Sequence, residues 1–249
     1  MNFFGLFATP LGWILTALYG VIRNYGITLV VLTLIVKLCL YPAYKKQILS
    51  TAGMADLQPK MKEIQNRYAG DTVKMNEEMS KLYKEEGASP MAGCLPMIVQ
   101  MLIIMGLFTL LRLPMNYMKS EQMYFAIHES FLWINDLSQP DPWILPILSG
   151  IATFIAFYMS SENGGVPGQQ QNGAMMMVMK YGFPIMIVWL AKTYAAGLAT
   201  YWFISQFIQI FYNIRFNQIR KKMKREKMEA KLKKHLDRKP VRAGEGVRR

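Results

Sequence analysis

Residue 37 is a lysine inside an apolar run. The stretch VVLTLIVKLCLYPAYKKQ (residues 30–47) has the composition of a membrane span, and Lys37 sits among Leu34, Ile35, Val36, Leu38, Cys39 and Leu40. At the centre of a transmembrane helix its charge would cost roughly 2.5–3.5 kcal/mol on insertion scales. Thr33, Lys37, Tyr41 and Tyr44 are spaced four, four and three apart, so they share one helix face. Lipid would exact the full cost of that polar face, so it should point into protein or water. The chemistry open to such an ammonium is electrostatic attraction of carboxylates. A structural ion pair is the alternative, but none of the apolar blocks contains an acidic partner.

Covalent chemistry has little support. The chain has no G-x-S-x-G, no H-E-x-x-H and no pair of intramembrane aspartates, since Asp136 and Asp141 fall in a loop. Cys39 and Cys94 lack metal-ligand spacing and read as small buried hydrophobes. His128 and His235 read as ordinary polar residues. No metal, cofactor or catalytic residue is expected.

The elements that must position Lys37 are long and apolar. The chain has 249 residues, 52% of them hydrophobic, and a formal charge of +13. Five apolar blocks are long enough, or nearly so, to cross a bilayer: 27–44, 91–111, 143–160, 176–195 and 197–214. Basic residues in alternate loops number 24 against 3. The basic-rich set should be cytoplasmic, which predicts an exterior N-terminus and a cytoplasmic C-terminus.

Residues 1–22 lack the basic n-region and A-x-A site of a secretory signal, and 1–26 form the first segment. Thr9-Pro10 looks like a helix start, with Leu11, Ile14, Leu15, Leu18, Val21 and Ile22 on one face. This predicts an amphipathic helix along the outer membrane surface, with Trp13 and Tyr19 at headgroup level. Residues 45–88 predict a cytoplasmic helical hairpin. Leu57, Met61, Ile64 and Tyr68 repeat at helical spacing, Ala69-Gly70 breaks the helix and Asp71 caps a second one. Met75, Met79, Leu82 and Tyr83 then repeat, and Gly87 ends it. The outer loop is 112–142, and SENGGVPGQQQNG lies in a flexible cytoplasmic loop, 161–175. The tail 215–249 holds fifteen basic and four acidic residues and first continues the last helix. Three readings compete for it: a topology signal, an anchor for anionic lipid, or an RNA contact. The charge exceeds what orientation needs, which favours the last two.

Several stretches, in order, resemble one family. They are TLIVKLCLYPAYKKQ (33–47), LQPKMKEIQNRY (57–68), MNEEMSKLYKEEGASPMAGCLPMIVQM (75–101), FLWINDLSQPDPWILPILSG (131–150) and GLATYWFISQFIQI (197–210). Together they are similar to the YidC family of membrane-protein insertases, which has relatives in mitochondria and chloroplasts. The resemblance covers about residues 10–216 and is to the short, Gram-positive-like form, without a large outer domain. It implies an all-α membrane protein with five transmembrane helices around a hydrophilic groove, open to cytoplasm and lipid and closed on the outer side. Nascent hydrophobic segments would pass through that groove into a bacterial plasma membrane without ATP.

In the family pattern the position of Lys37 is usually arginine. Lysine keeps the charge and loses the planar two-pronged fork. Tyr201 and Trp202 match the family's aromatic pair in the last span, with an interfacial belt position as the alternative for Trp202. Gln100 and Gln206 stand open between groove lining and helix-to-helix hydrogen bonding. The expected groove set is therefore Lys37, Thr33, Tyr41, Gln100, Tyr201, Trp202 and Gln206. The expected ribosome or lipid contact is Arg220, Lys221, Lys222, Lys224, Arg225 and Lys227. Nascent membrane proteins and the bilayer are the implied partners, the ribosome joins them through the basic tail, and a Sec-type translocon remains open; no DNA is expected. A small secondary transporter or anion pathway is the alternative function.

Overall fold

The computed structural model describes residues 5–87, 95–118, 120–162 and 177–237. Among these residues the chain is helical, with no strand beyond one antiparallel bridge between Phe131 and Ile134. Helix α1 spans Gly5–Ile22, α2 Tyr25–Arg67, α3 Thr72–Glu85 and α4 Leu95–Arg112. Two short turns, α5 (Pro114–Tyr117) and α6 (Glu121–Ala126), precede α7 (Ile144–Glu162). A π-helical turn, Val178–Gly182, runs into α8 (Phe183–Thr193), and α9 covers Ala196–Asp237. Two helices among the described residues have the length and composition to cross a membrane, Gly5–Ile22 and Tyr25–Lys45; Gln100–Arg112 and Ile144–Ser160 are shorter apolar helices.

The first expected span and the first hairpin arm are one helix. The apolar run stops near Tyr44, yet α2 continues to Arg67 with Pro42 and Pro59 inside it, about 65 Å at 1.5 Å per residue. The end of an apolar run marks a change of solvent, and nothing between 45 and 67 stops the backbone. The hairpin follows as expected: Asp71 accepts the Lys74 N–H as the cap of α3, and Leu57, Met61, Met79 and Leu82 close a small core of their own. Gly87 has φ +60°, which suits glycine. The loop 163–176 and residues 88–94, with Cys94, lie outside the described residues.

Helix α1 corrects the expected start: it spans Gly5–Ile22, so Pro10 lies inside it. Its apolar residues surround the helix, and packing chooses the buried side. Leu11 and Leu15 are buried with Ala8, whereas Ile14 and Val21 of the expected face are exposed, with Trp13. Close contacts set that phase: a methyl on Gly12 would lie 2.7 Å from the Tyr117 carbonyl oxygen, and one on Gly106 of α4 would lie 2.9 Å from Phe7 Cβ. Cys39 is likewise exposed, not buried, because it lies about 200° around α2 from inward-facing Lys37.

The segment between α6 and α7 closes one end of the bundle by capping three helix N-termini. Glu129 accepts the Tyr25 N–H at the start of α2 (2.7 Å) and the Tyr19 hydroxyl. The carbonyls of Gln139 and Leu137 accept the N–H groups of Ala196 and Gly197 at the start of α9 (both 2.8 Å). Asp141 accepts from the Trp133 indole (2.7 Å) and from the N–H groups of Trp143 and Leu145 at the start of α7. Orphan amides at helix starts need such partners. The FLWINDLSQPDPW stretch is thus a structural clasp.

Candidate functional site

Lys37 is 3% exposed. Its face of α2 meets α4 and α9, and its ammonium donates to Gln100 Oε1 (3.2 Å) and Gln209 Oε1 (3.4 Å). The ring of Tyr44 lies 5.2 Å from the nitrogen, close enough for a cation–π contact. None of the ion pairs among the described residues involves Lys37. The charge is thus surrounded by neutral oxygens and an aromatic face, and stays uncompensated.

Gln100 is the hub. Its Oε1 also accepts the Tyr44 hydroxyl (3.2 Å), and its Nε2 donates to the buried Tyr201 hydroxyl (3.2 Å). One side chain of α4 therefore bridges α2 and α9. Helix α9 reaches back as well, since the Tyr212 hydroxyl donates to the Lys37 carbonyl (3.1 Å). Towards Arg67 the aromatic rings of Tyr41, Tyr212 and Phe216 pack together, with Tyr41 and Tyr212 5.4 Å apart.

The expected residues divide. Lys37, Gln100 and Tyr201 come together, and Tyr41 sits one turn away. Thr33 shares the face but is buried, and its hydroxyl donates to its own helix at Leu29 O (2.7 Å), so it does not reach the ammonium. Trp202 and Gln206 follow Tyr201 and Ser205 by one residue, a rotation of about 100°. Trp202 faces α7 instead, its indole donating to Thr153 Oγ1 (2.9 Å). Gln206 is half-buried, and the hydrogen-bond partners of the Lys37 ammonium among the described residues are Gln100 and Gln209. Gln209 takes the place expected of Gln206. Its signal was the helical recurrence of Tyr201, Ser205, Gln209 and Tyr212.

The basic run continues α9 without a break, so the charges sit on one rod with the last apolar block. Lys221, Lys222, Lys224 and Arg225 are exposed, and Lys222 lies 4.0 Å from Glu226. Arg220 differs: it is half-buried. The Lys227 side chain lies outside the described residues.

Comparison with known proteins identifies the family. The family described as 60Kd inner membrane protein matches residues 17–229. The membrane protein insertase YidC of Haemophilus influenzae (strain PittEE) is 39% identical over 204 residues, which is 82% of this chain and 35% of the relative. That of Wolinella succinogenes is 36% identical over 229 residues, 90% and 39% of the two chains. A crystal structure of an active YidC insertase with its first transmembrane domain resolved superposes with a TM-score of 0.59 at 27% identity, covering 85% of this chain and 46% of that one. The chain thus spans little more than a third of the length of the two named relatives and just under half of the crystallised chain. The match runs through every helix that supplies the Lys37 cluster, and the chain belongs to the 60Kd inner membrane protein, or YidC, family of membrane-protein insertases.

Proposed function

We propose that this chain moves hydrophobic segments of nascent membrane proteins from the cytoplasm into the bacterial plasma membrane. One observation carries the reading: Lys37 is a buried ammonium with two amide oxygens and the face of a tyrosine ring around it and no carboxylate among its partners. A client carboxylate can displace an amide oxygen, because the ammonium attracts a full negative charge more strongly than the partial charge of an amide oxygen. The apolar segment behind that carboxylate then follows into lipid. The step is electrostatic and breaks no covalent bond.

In this reading α2 as far as Tyr44, α4, α7, the π-turn with α8, and α9 as far as Ile214 cross the bilayer around a polar groove. The α2–α3 hairpin and the basic end of α9 lie in the cytoplasm, and α1 and the 113–143 loop lie outside. The exposed lysines of α9 meet ribosomal RNA, and a Sec-type translocon is a possible neighbour. The test is reconstitution into liposomes with a single-span client and no solute gradient. Protease protection of the client is the expected result. Solute flux without client insertion would replace this reading by a transporter.

A further inference from the structure

Resting on that reading, we infer that Asn213 and Gln209 form a relay that aims a carbonyl oxygen at Lys37, making Asn213 a positioning residue for the charge-attracting site. The relay starts on α7. The carbonyl of Ala156 can only accept, and Asn213 donates to it through Nδ2 at 2.9 Å. That leaves Asn213 Oδ1 facing Gln209, where only an acceptor is on offer. Gln209 answers with Nε2 at 3.4 Å, which turns its Oε1 towards the Lys37 ammonium, also at 3.4 Å. The reverse orientation would set two donors against each other in a buried site, where such a mismatch is costly. Gln209 and Asn213 are four residues apart on α9, so one face carries the polarity of an α7 backbone carbonyl to a cation on α2.

On the other flank Gln100 is aimed in the same sense. Its Nε2 is committed to Tyr201, so its oxygen is left for Lys37 and Tyr44. Two oriented amides therefore hold the ammonium between α2, α4 and α9 without neutralising it. Asn213 is buried and is hydrogen-bonded to Gln209 and the Ala156 carbonyl, not to the ammonium. Without it Gln209 is free to rotate, and Lys37 loses one of its two amide oxygens and its fixed position.

The experiment uses the full chain in liposomes and two single-span clients that differ only in two acidic residues, replaced by their amides, ahead of the span. The readout is the ratio of protected acidic client to protected neutral client. Asn213→Leu and Gln209→Leu should each lower that ratio about three- to tenfold, the range expected from one hydrogen bond. The double variant should fall no further than the singles, and in a Lys37→Ala background neither change should alter the ratio. An unchanged ratio in both single variants, or independent effects that multiply in the double, would overturn the relay. So would an equal loss for both clients with a lowered melting temperature, which is the mark of a mere α7–α9 stitch. If the wild type inserts neither client, the insertase reading and the relay fall together. If Lys37→Ala lowers the ratio while the relay variants match wild type, only the relay falls.

Discussion

A lysine held by two glutamine oxygens and the face of a tyrosine ring keeps its charge available, whereas one paired to a buried carboxylate would not. The site needs a cation at residue 37 more than it needs a particular head group, because neutral acceptors from α4 and α9 face it. Lys37→Arg should therefore retain client insertion in a strain depleted of its own insertase. Lys37→Ala and Lys37→Glu should lower it, most for clients with acidic outer segments, at normal protein levels. Full activity of the Lys37→Glu protein would remove charge attraction from the mechanism. Gln100 has a separate role as the bridge of three helices. Gln100→Leu leaves Tyr44 without its acceptor and Lys37 with Gln209 alone, and takes the amide donor from the Tyr201 hydroxyl. It should lower stability by about 1–3 kcal/mol, measured by thermal unfolding in detergent. Lys37 was legible in the sequence because a charge in an apolar run breaks a local rule. Gln209 carried only its recurrence with Tyr201, Ser205 and Tyr212, and periodicity ranks positions around a helix without saying which side faces the neighbours.

At the scale of elements, the two ends of the bundle are organised differently. At one end the 129–141 segment caps α2, α7 and α9 by hydrogen bonds. Burial pushes the Asp141 carboxyl upwards, but bonds from the Trp133 indole and from backbone N–H groups at the start of α7 outweigh it and hold it below the usual carboxylate range. The fold thus favours its charged form. That stability is present above the unfolded value near 4 and is lost as pH falls through the lower folded value. The melting-temperature gap between wild type and Asp141→Asn should be open at pH 6 and should close towards pH 3. At the other end the α2–α3 hairpin has its own core, linked to the rest by the continuity of α2. Leu82→Ala should cost about 2–3 kcal/mol locally. Hydrogen exchange should quicken across residues 57–85 and stay unchanged in α7 and in α9 up to Ile214. An equal change everywhere would mean that the hairpin unfolds with the bundle.

For the whole molecule, charge asymmetry sets the expected orientation. A cysteine at exposed Ser80, with Cys39 and Cys94 replaced, should resist impermeant thiol reagents in intact cells and react after lysis. Labelling from outside would invert the topology. The rod formed by α9 carries the tail charges about 35 Å beyond Ile214, at 1.5 Å per residue over the remaining turns to Asp237. Ribosome cosedimentation of the full chain should fall steeply with salt, as phosphate contacts require, and should drop for a chain ending at Phe216. Equal binding by both would place the ribosome contact elsewhere.

The sequence alone determined the apolar blocks, the asymmetry of charge, the hairpin core of Leu57, Met61, Met79 and Leu82, the Asp71 cap and the polar face around Lys37. Each follows from local periodicity or from a residue whose solvation is costly. Tertiary structure decided the rest. Helix α2 runs through the point where its surroundings change, since hydropathy reports solvent and not backbone continuity. The face that α1 buries was set by Gly12 and Gly106, because a helix apolar all round has no preferred side until a neighbour supplies one. Gln209 in place of Gln206, and Trp202 turned to Thr153, follow from how α9 is rotated against α7. That rotation is fixed by contacts such as Asn213 with the Ala156 carbonyl, between residues 57 positions apart in the chain.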